Sequence, residues 1–298
     1  MGMEKIKNEN MKKQNFDFLS LPRKIVVSGG KGGVGKSTVC IYLASKLLSF
    51  GKKVILCDLD VEAPNLHLLV GKKLVHIKKK VYLNFPKLIK ERCRKCGRCV
   101  RVCRNNAIFQ PPDSFPIFFQ ELCSGCGACM KICRYGAIKP ERREIGKIYL
   151  NRVEKNLFLI SGVAKIGLEE TGIVALKTRE YALSLAEKKK VDYIIFDSAP
   201  GIHCPTIHAF LKADLAILVT EPTPLGAHDL KIVLKLARKL SIKAKVFLNQ
   251  ASLGKKEIIE NLVKKEKIKL EKVIPHSKEI LKASAEGNLL SFFKKANL

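Results

Sequence analysis

Residues 29–38 read GGKGGVGKST, and this stretch decides the fold. From Gly30 to Ser37 it satisfies the pattern G-x-x-x-x-G-K-[ST] of phosphate-binding P-loops. A short β-branched run, Lys24–Ser28, precedes the loop, and a helical pattern follows it. In that context backbone N–H groups and a helix N-terminus bind phosphate. We therefore expect Lys36 on the β- and γ-phosphates of a nucleotide and Ser37 on Mg²⁺.

The expected nucleotide contacts extend along the whole loop and into the first helical turn. They are Gly30, Gly32, Gly33, Val34, Gly35, Lys36, Ser37 and Thr38.

Outward from the loop, short apolar runs alternate with helical periodicity through most of the chain. The further predicted strands are 53–57, 157–160, 192–196, 215–219, 246–249 and 271–274. The further predicted helices are 174–190, 205–212, 226–240 and 255–267. Such alternation predicts an α/β fold with a mostly parallel sheet and helices on both faces. Ligands in such folds bind beyond the carboxyl ends of the strands.

Residues 74–148 interrupt this alternation. They hold eight of the eleven cysteines, all within 93–133. We divide the chain into a polar leader at 1–22, expected to be mobile, a discontinuous P-loop domain at 23–73 and 149–298, and an inserted small α+β domain at 74–148.

The inserted cysteines form two runs with the same spacing, C-x2-C-x2-C-x3-C, thirty residues apart. This duplication resembles the bacterial two-cluster ferredoxins. The resemblance implies two 4Fe–4S clusters in which the fourth cysteine of each run binds the other cluster. Cluster one would be held by Cys93, Cys96, Cys99 and Cys133. Cluster two would be held by Cys123, Cys126, Cys129 and Cys103.

Structural zinc is the alternative reading of these cysteines. Zinc sites commonly use four ligands in two separated pairs, which two triple-cysteine runs fit poorly. The ferredoxins usually have proline after the fourth cysteine, where this chain has Arg104 and Arg134. Positive charge beside each cluster should raise its reduction potential.

The full string GGKGGVGKST resembles the deviant Walker A motif of the MinD/ParA and nitrogenase iron protein superfamily. The resemblance implies a homodimer in which Lys31 reaches the partner's nucleotide. Asp58-Leu59-Asp60 is similar to switch I, and the DSAPG string at 197–201 is similar to Walker B and switch II. By that likeness Asp197 lies in the Mg²⁺ shell, the Gly201 amide senses the γ-phosphate, and Asp60, then Asp58, is the candidate for positioning the attacking water.

Asn249 stands where that superfamily has an asparagine that contacts the base; a strand-end cap is the alternative. Gln250 follows it, so the guanine-reading N-K-x-D motif is absent and ATP is favoured over GTP. Over residues 23–290 the chain is similar to MinD-superfamily ATPases that carry an inserted ferredoxin domain.

Three functions remain open at this stage. The first is Mg²⁺-dependent ATP hydrolysis that controls electron transfer, with an unidentified redox or iron–sulfur client. The second is cluster assembly or delivery, in which Cys204 could bridge two subunits, although a lone buried cysteine is commoner. The third is MinD-like membrane positioning through 289–295, a segment short enough to favour a docked core helix.

Charge and compartment complete the expectations. The net charge is +29, from 56 Lys and Arg against 27 Asp and Glu. Lysines alternate with glutamates along the chain, and no aromatic residues lie among them. We therefore expect a heat-adapted surface and no nucleic-acid partner. Without a secretory signal or an apolar run of about 18 residues, a membrane location is disfavoured and the cytoplasm, where thiols stay reduced, is expected.

Overall fold

The computed structural model describes residues 23–168 and 170–296, so the leader expected at 1–22 lies outside the described residues. The strands are β1 Lys24–Ser28, β2 Val54–Asp58, β3 Ile77–Leu88, β4 Ile108–Phe109, β5 Ile117–Phe118, β6 Ile138–Glu154, β7 Leu157–Ala164, β8 Tyr193–Asp197, β9 Leu215–Thr220, β10 Lys243–Leu248 and β11 Lys269–Val273. The helices are α1 Lys36–Ser49, α2 Leu66–Leu69, α3 Arg98–Val102, α4 Ala128–Ile132, α5 Gly172–Lys189, α6 Cys204–Phe210, α7 Pro224–Lys239, α8 Glu257–Lys265, α9 Lys278–Ala285 and α10 Leu289–Lys295, with a 3-10 turn at Lys90–Arg92.

A 9-stranded sheet in the order β11-β10-β9-β1-β8-β2-β7-β6-β3 organises the described chain. The strands from β11 to β7 are all parallel, whereas β6 and β3 are antiparallel to their neighbours. The mostly parallel sheet expected from the sequence is therefore confirmed. It follows from the β-branched runs, which are buried on both faces as parallel strands require.

Helices cover both faces of the sheet, each over its own apolar core. One core packs α1, α9 and α10 against the strands, and the other packs α5, α6, α7 and α8. In α10 the side chains of Leu289, Leu290 and Phe293 are buried, and the Phe293 ring lies 5.4 Å from that of Tyr42. The apolar face of this helix is thus covered by the core of the P-loop domain. Within the described ranges, none of the helices is both long enough and apolar enough to cross a bilayer.

An antiparallel ribbon made of β3 and β6 carries the inserted cysteines. The two strands pair from Ile77–Tyr149 to Leu88–Ile138. Strand β6 pairs with β7 only from Gly146 onward, opposite Ala164. Residues 138–145 therefore run past the carboxyl end of β7 by about 25 Å, at about 3.3 Å per residue. The ribbon projects the cysteines from the sheet edge at which ligands of such folds bind.

The cysteine module at the end of this ribbon is small and internally duplicated. Helices α3 and α4 pack together, and beside them lies a short antiparallel pair, β4 and β5, with two residues in each strand. Each helix follows a glycine with left-handed backbone, Gly97 with φ 71° and Gly127 with φ 76°. A residue with a Cβ is strained in that region, so glycine makes this turn into the helix at the lowest conformational cost.

Candidate functional site

The P-loop lies between β1 and α1, in a conformation that its glycines permit. Gly33 and Gly35 have φ of 79° and 91°, where side chains are strained. A Cβ at Gly35 would also lie 2.1 Å from Nδ2 of Asn249. A Cβ at Gly30 would lie 2.3 Å from Cβ of Asp229. The loop is therefore enclosed by α7 and by the end of β10, and these two glycines are needed for space.

Asn249 fastens the P-loop to the end of β10. Its Nδ2 donates a hydrogen bond of 2.9 Å to the Val34 carbonyl, and Asn249 itself is buried. Nε2 of Gln250 donates to the Gly33 carbonyl at 3.3 Å. The structure thus brings Asn249 to the nucleotide loop, as its position after a strand predicted, and gives it a loop-holding contact that the sequence did not indicate.

Two carboxylates meet at the neighbouring ends of β2 and β8, where Asp58 and Asp197 are register partners. Asp197 is 1% exposed, and its Oδ1 has no hydrogen-bond partner among the described residues. Burial raises the pKa of Asp197 to about 6, while a hydrogen bond from Ser37 acts in the opposite direction. A buried carboxylate oxygen without a partner, beside a serine hydroxyl, matches the oxygen donors that Mg²⁺ binds. These residues fit a magnesium site.

Asp58 and Asp60 have different surroundings. Oδ2 of Asp58 accepts hydrogen bonds of 3.0 Å from the N–H groups of Asn65 and Leu66. Burial, and then the charge of Asp197, raise the pKa of Asp58 well above its ordinary value. Asp58 is therefore occupied in holding the loop 59–65.

The carboxylate of Asp60 is half-buried and faces Lys36. Burial raises the pKa of Asp60, whereas the Lys36 ammonium acts to lower it. Of the two candidates for positioning water, Asp60 has the carboxylate that lies near Lys36, the lysine expected to bind phosphate.

The two P-loop lysines are both held within the chain. Nζ of Lys36 is buried and donates to the Lys31 carbonyl at 3.1 Å. Nζ of Lys31 forms an ion pair of 2.6 Å with Oε1 of Glu221, which also accepts a 3.0 Å hydrogen bond from Thr223. Sequence reasoning gave Glu221 no role. Its position directly after β9, at the ligand-binding edge, was the signal available.

The remaining predicted residues of this domain lie around the same edge. Thr38 is in the first turn of α1, and Gly201, with φ 73°, is in the loop between β8 and α6. Cys204 begins α6 and is exposed, contrary to the buried position considered from sequence.

Cys40 and Cys57 are fully buried, and burial raises the pKa of each thiol well above its ordinary value. Neither of these two thiols is available for surface chemistry.

The inserted cysteines surround two cavities, and each cavity takes its fourth cysteine from the other run. The first cavity is lined by Cys93, Cys96, Cys99 and Cys133. The second cavity is lined by Cys123, Cys126, Cys129 and Cys103. The structure therefore brings together the two crosswise sets that the ferredoxin resemblance implied.

Each cavity offers four cysteine thiols, a donor set that suits a 4Fe–4S cluster. Within 23–168 and 170–296, no group of three or more His, Cys, Asp or Glu side chains is placed to hold a single metal ion. Burial raises the pKa of the Cys129 thiol to about 11, so ligation must displace its proton. Backbone N–H groups of Gly125 and Ala137 donate to the sulfurs of Cys123 and Cys133 at 3.4 and 3.3 Å.

Comparison with known proteins identifies the ATPase part. The family model described as an AAA domain matches residues 22–250. The septum site-determining protein MinD from Pyrococcus horikoshii, solved with Mg-ADP, superposes with a TM-score of 0.58 over 93% of this chain and 90% of that one, at 20% identity. The chain belongs to the MinD/ParA family of P-loop ATPases.

Among relatives of this MinD/ParA protein, an uncharacterized protein of Methanocaldococcus jannaschii is 33% identical over 274 residues, which cover 92% of this chain and 93% of the relative. The iron-sulfur cluster carrier protein of the same organism is 46% identical over 63 residues, 21% of this chain and 19% of the carrier. The first match covers the chain nearly end to end, whereas the second is local.

Proposed function

We propose that this MinD/ParA-family protein is a Mg²⁺-dependent ATPase whose nucleotide-driven rearrangement, in a homodimer, controls electron transfer through two 4Fe–4S clusters in an inserted module at 74–148. The clusters would supply one-electron redox chemistry. A reducing, cytoplasmic location belongs to the proposal because eight ligand thiols must stay reduced.

One chain of hydrogen bonds carries this proposal. The loop after β2, which Asp58 holds, is bonded to the end of β7 through Ala164 N–H and the Val61 carbonyl at 2.8 Å. The next residue, Lys165, donates its N–H to the Ile145 carbonyl in the cysteine-bearing ribbon, also at 2.8 Å. A shift of the switch I loop on ATP binding is therefore passed to the ribbon through two backbone hydrogen bonds. A packed sheet transmits such displacements because it deforms little.

The hydrolytic step is assigned to residues of the P-loop edge. Lys36 and the loop N–H groups bind the β- and γ-phosphates, and Ser37 with Asp197 holds Mg²⁺. Asp60 orients a water, whose oxygen forms a bond to the γ-phosphorus as the bond from that phosphorus to the bridging oxygen breaks. ADP leaves with the bridging oxygen, and the water proton departs with inorganic phosphate. Lys31 of each protomer stabilises the charge on the partner's nucleotide.

Two features support cluster delivery as a second candidate. The local match to an iron-sulfur cluster carrier is one. The exposure of Cys204 just after the switch II string is the other. The arrangement of all eight inserted thiols around two cavities, four at each, favours resident clusters, so electron transfer remains the proposal.

An anaerobic redox titration followed by EPR, with and without MgATP, tests the proposal. We expect reduced 4Fe–4S signals whose midpoint potential falls when MgATP is added. Lys36→Ala, which keeps both cavities intact, should show the same clusters with no response to MgATP. If MgATP left the midpoint potential of the clusters in the unaltered protein unchanged, cluster delivery would be favoured. A reconstituted protein without iron–sulfur signals would refute the cluster assignment.

A further inference from the structure

The two ends of the duplicated cysteine module differ strongly in charge. Residues 89–108 contain seven Lys and Arg and one Glu, whereas the matching residues 119–138 contain two Lys and Arg and one Glu. Because the two segments have the same backbone plan and equal numbers of cysteines, a general excess of lysine over the chain does not account for the difference. Most of the module's positive charge therefore belongs to the first cysteine run and the residues that flank it.

This charge lies around the first cavity itself. Arg94, Lys95 and Arg98 line it, and none of them forms a salt bridge within 23–168 and 170–296. At the matching positions the second cavity is lined by Ser124, Gly125 and Ala128. Three cations line the first cavity, whereas three small, uncharged residues stand at the matching positions of the second.

The cations are held in place beside exposed aromatic surface. Nζ of Lys95 donates to the Asp113 carbonyl at 2.8 Å and lies 5.0 Å from the ring centroid of Phe115. Tyr135 also lines the first cavity and is 51% exposed, whereas Asn105 occupies the matching position at the second. An exposed aromatic surrounded by unpaired cations has the composition of a protein-binding surface with an apolar centre and a charged rim.

We propose that the face around the first cavity, formed by Arg94, Lys95, Arg98 and Tyr135, is the docking surface for an acidic electron-carrier protein, one whose own redox centre is surrounded by carboxylates. This inference rests on the proposed function and names the partner of that site. Complementary charge steers two proteins into contact at the point where positive potential is highest. Here three cations border a cysteine cavity, so docking at this face brings the partner's redox centre next to the first cluster.

An acidic protein fits this face better than a nucleic acid does. Proteins that bind single strands place several aromatic side chains along a basic groove, on which successive bases stack. This face has one exposed aromatic, Tyr135, and the half-buried Phe115 beside Lys95, and it surrounds a cavity instead of following a groove. The second cavity has one cation, Arg104, among its lining residues and is left for exchange within the protein or with a different surface.

The duplication itself supplies the test variant. R94S/K95G/R98A gives the first loop the residues that the second loop already has. Lys95 has φ of 52° and Gly125 has φ of 66°, so glycine suits the backbone at position 95. The control K264S/K265A/K267G removes three exposed lysines from the end of α8, one of which, Lys267, also has left-handed backbone, with φ of 51°. Both variants lose the same formal charge.

A second variant adds charge at the second cavity, where Arg104 is the one cation among the lining residues. S124R/A128R places two arginines at the second cavity. Gly125 is left unchanged because a Cβ there would lie 2.5 Å from Cγ of Leu83. This variant should create a second basic opening with the first face unaltered.

The measurement is titration calorimetry of the reconstituted, oxidised full-length protein with an oxidised acidic plant-type ferredoxin, at about 20 mM and about 500 mM NaCl. Cluster content is established first from iron, sulfide and visible absorption, so a failure of the proposed function is seen before docking is measured. At low salt we expect R94S/K95G/R98A to weaken binding by about tenfold or more, against less than about twofold for the α8 control. The difference should nearly vanish at high salt, and S124R/A128R should raise the stoichiometry or the affinity.

Equal binding by R94S/K95G/R98A and the α8 control would overturn the proposal while leaving the clusters in place. The proposal would also be overturned, in favour of a nucleic-acid surface, if the protein with full cluster content bound an oligothymidylate of about twenty nucleotides and did not bind the ferredoxin.

Discussion

The ion pair between Lys31 and Glu221 should oppose dimer formation, because the same ammonium that must reach the partner's nucleotide is held within its own chain. Replacing Glu221 with glutamine removes the charge but keeps an oxygen that can accept the Thr223 hydrogen bond. The pair is short, at 2.6 Å, and the side chains of Lys31 and Glu221 are 31% and 14% exposed. A partly buried, charged hydrogen bond of this kind contributes about 1–2 kcal/mol.

Two such pairs must open when a symmetric dimer closes, so the opposing free energy is about 2–4 kcal/mol. At about 1.4 kcal/mol per tenfold, Glu221→Gln should tighten the dimer by about 30- to 700-fold. Sedimentation velocity with Mg²⁺ and a non-hydrolysable ATP analogue measures this as a fall in the protein concentration at half-dimerisation. Without nucleotide the variant should stay monomeric like the unaltered protein.

Glu266→Gln is the matched control. It breaks the Arg238–Glu266 pair, which has the same N–O distance of 2.6 Å but joins α7 to the end of α8, away from the P-loop. If Glu221→Gln dimerised no more tightly than Glu266→Gln, or less tightly than the unaltered chain, the reasoning that Glu221 restrains Lys31 would be wrong.

Three further predictions concern the magnesium site, the clusters and the P-loop. The folded-state pKa of Asp197, about 6, lies above its ordinary 3.8, so the Mg²⁺-free protein should lose stability as pH rises between these values. Asp197→Asn should therefore be more stable than the unaltered chain by about 2–3 kcal/mol near pH 8. Near pH 4 the two proteins should be about equally stable, as measured by urea unfolding. Cys133→Ser should disturb the EPR signal of the cluster held by the first run, and Cys103→Ser that of the second, whereas ligation within each run would give the reverse. Gly35→Ala should abolish binding of a fluorescent ATP analogue, because its Cβ meets Asn249, whereas Gly51→Ala, at a left-handed position outside the P-loop with open space around it, should bind normally.

The sequence by itself determined the features that depend on residues close together in the chain. The P-loop is one, since a strand, a loop with four residues between Gly30 and Gly35, and a helix are enough to build a phosphate site. The two cysteine runs are another, because their spacing sets three thiols of each cavity within one turn. The alternation of apolar runs likewise predicted the parallel sheet, although strand ends were displaced by a few residues, as in β10, observed at Lys243–Leu248.

Only the tertiary structure decided which distant residues meet. Lys31 and Glu221 are 190 residues apart, and Asn249 reaches Val34 across 215. These contacts exist because the sheet order places β9 next to β1 and β10 next to β9. Strand order is set by packing between elements, on which local periodicity carries no information. The long ribbon of β3 and β6 was missed for the same reason, since its strands carry many charged residues and gain their hydrogen bonds from each other and from β7. The path from the switch I loop to the cysteines, and the charge difference between the two cavities, became visible once that ribbon was in place.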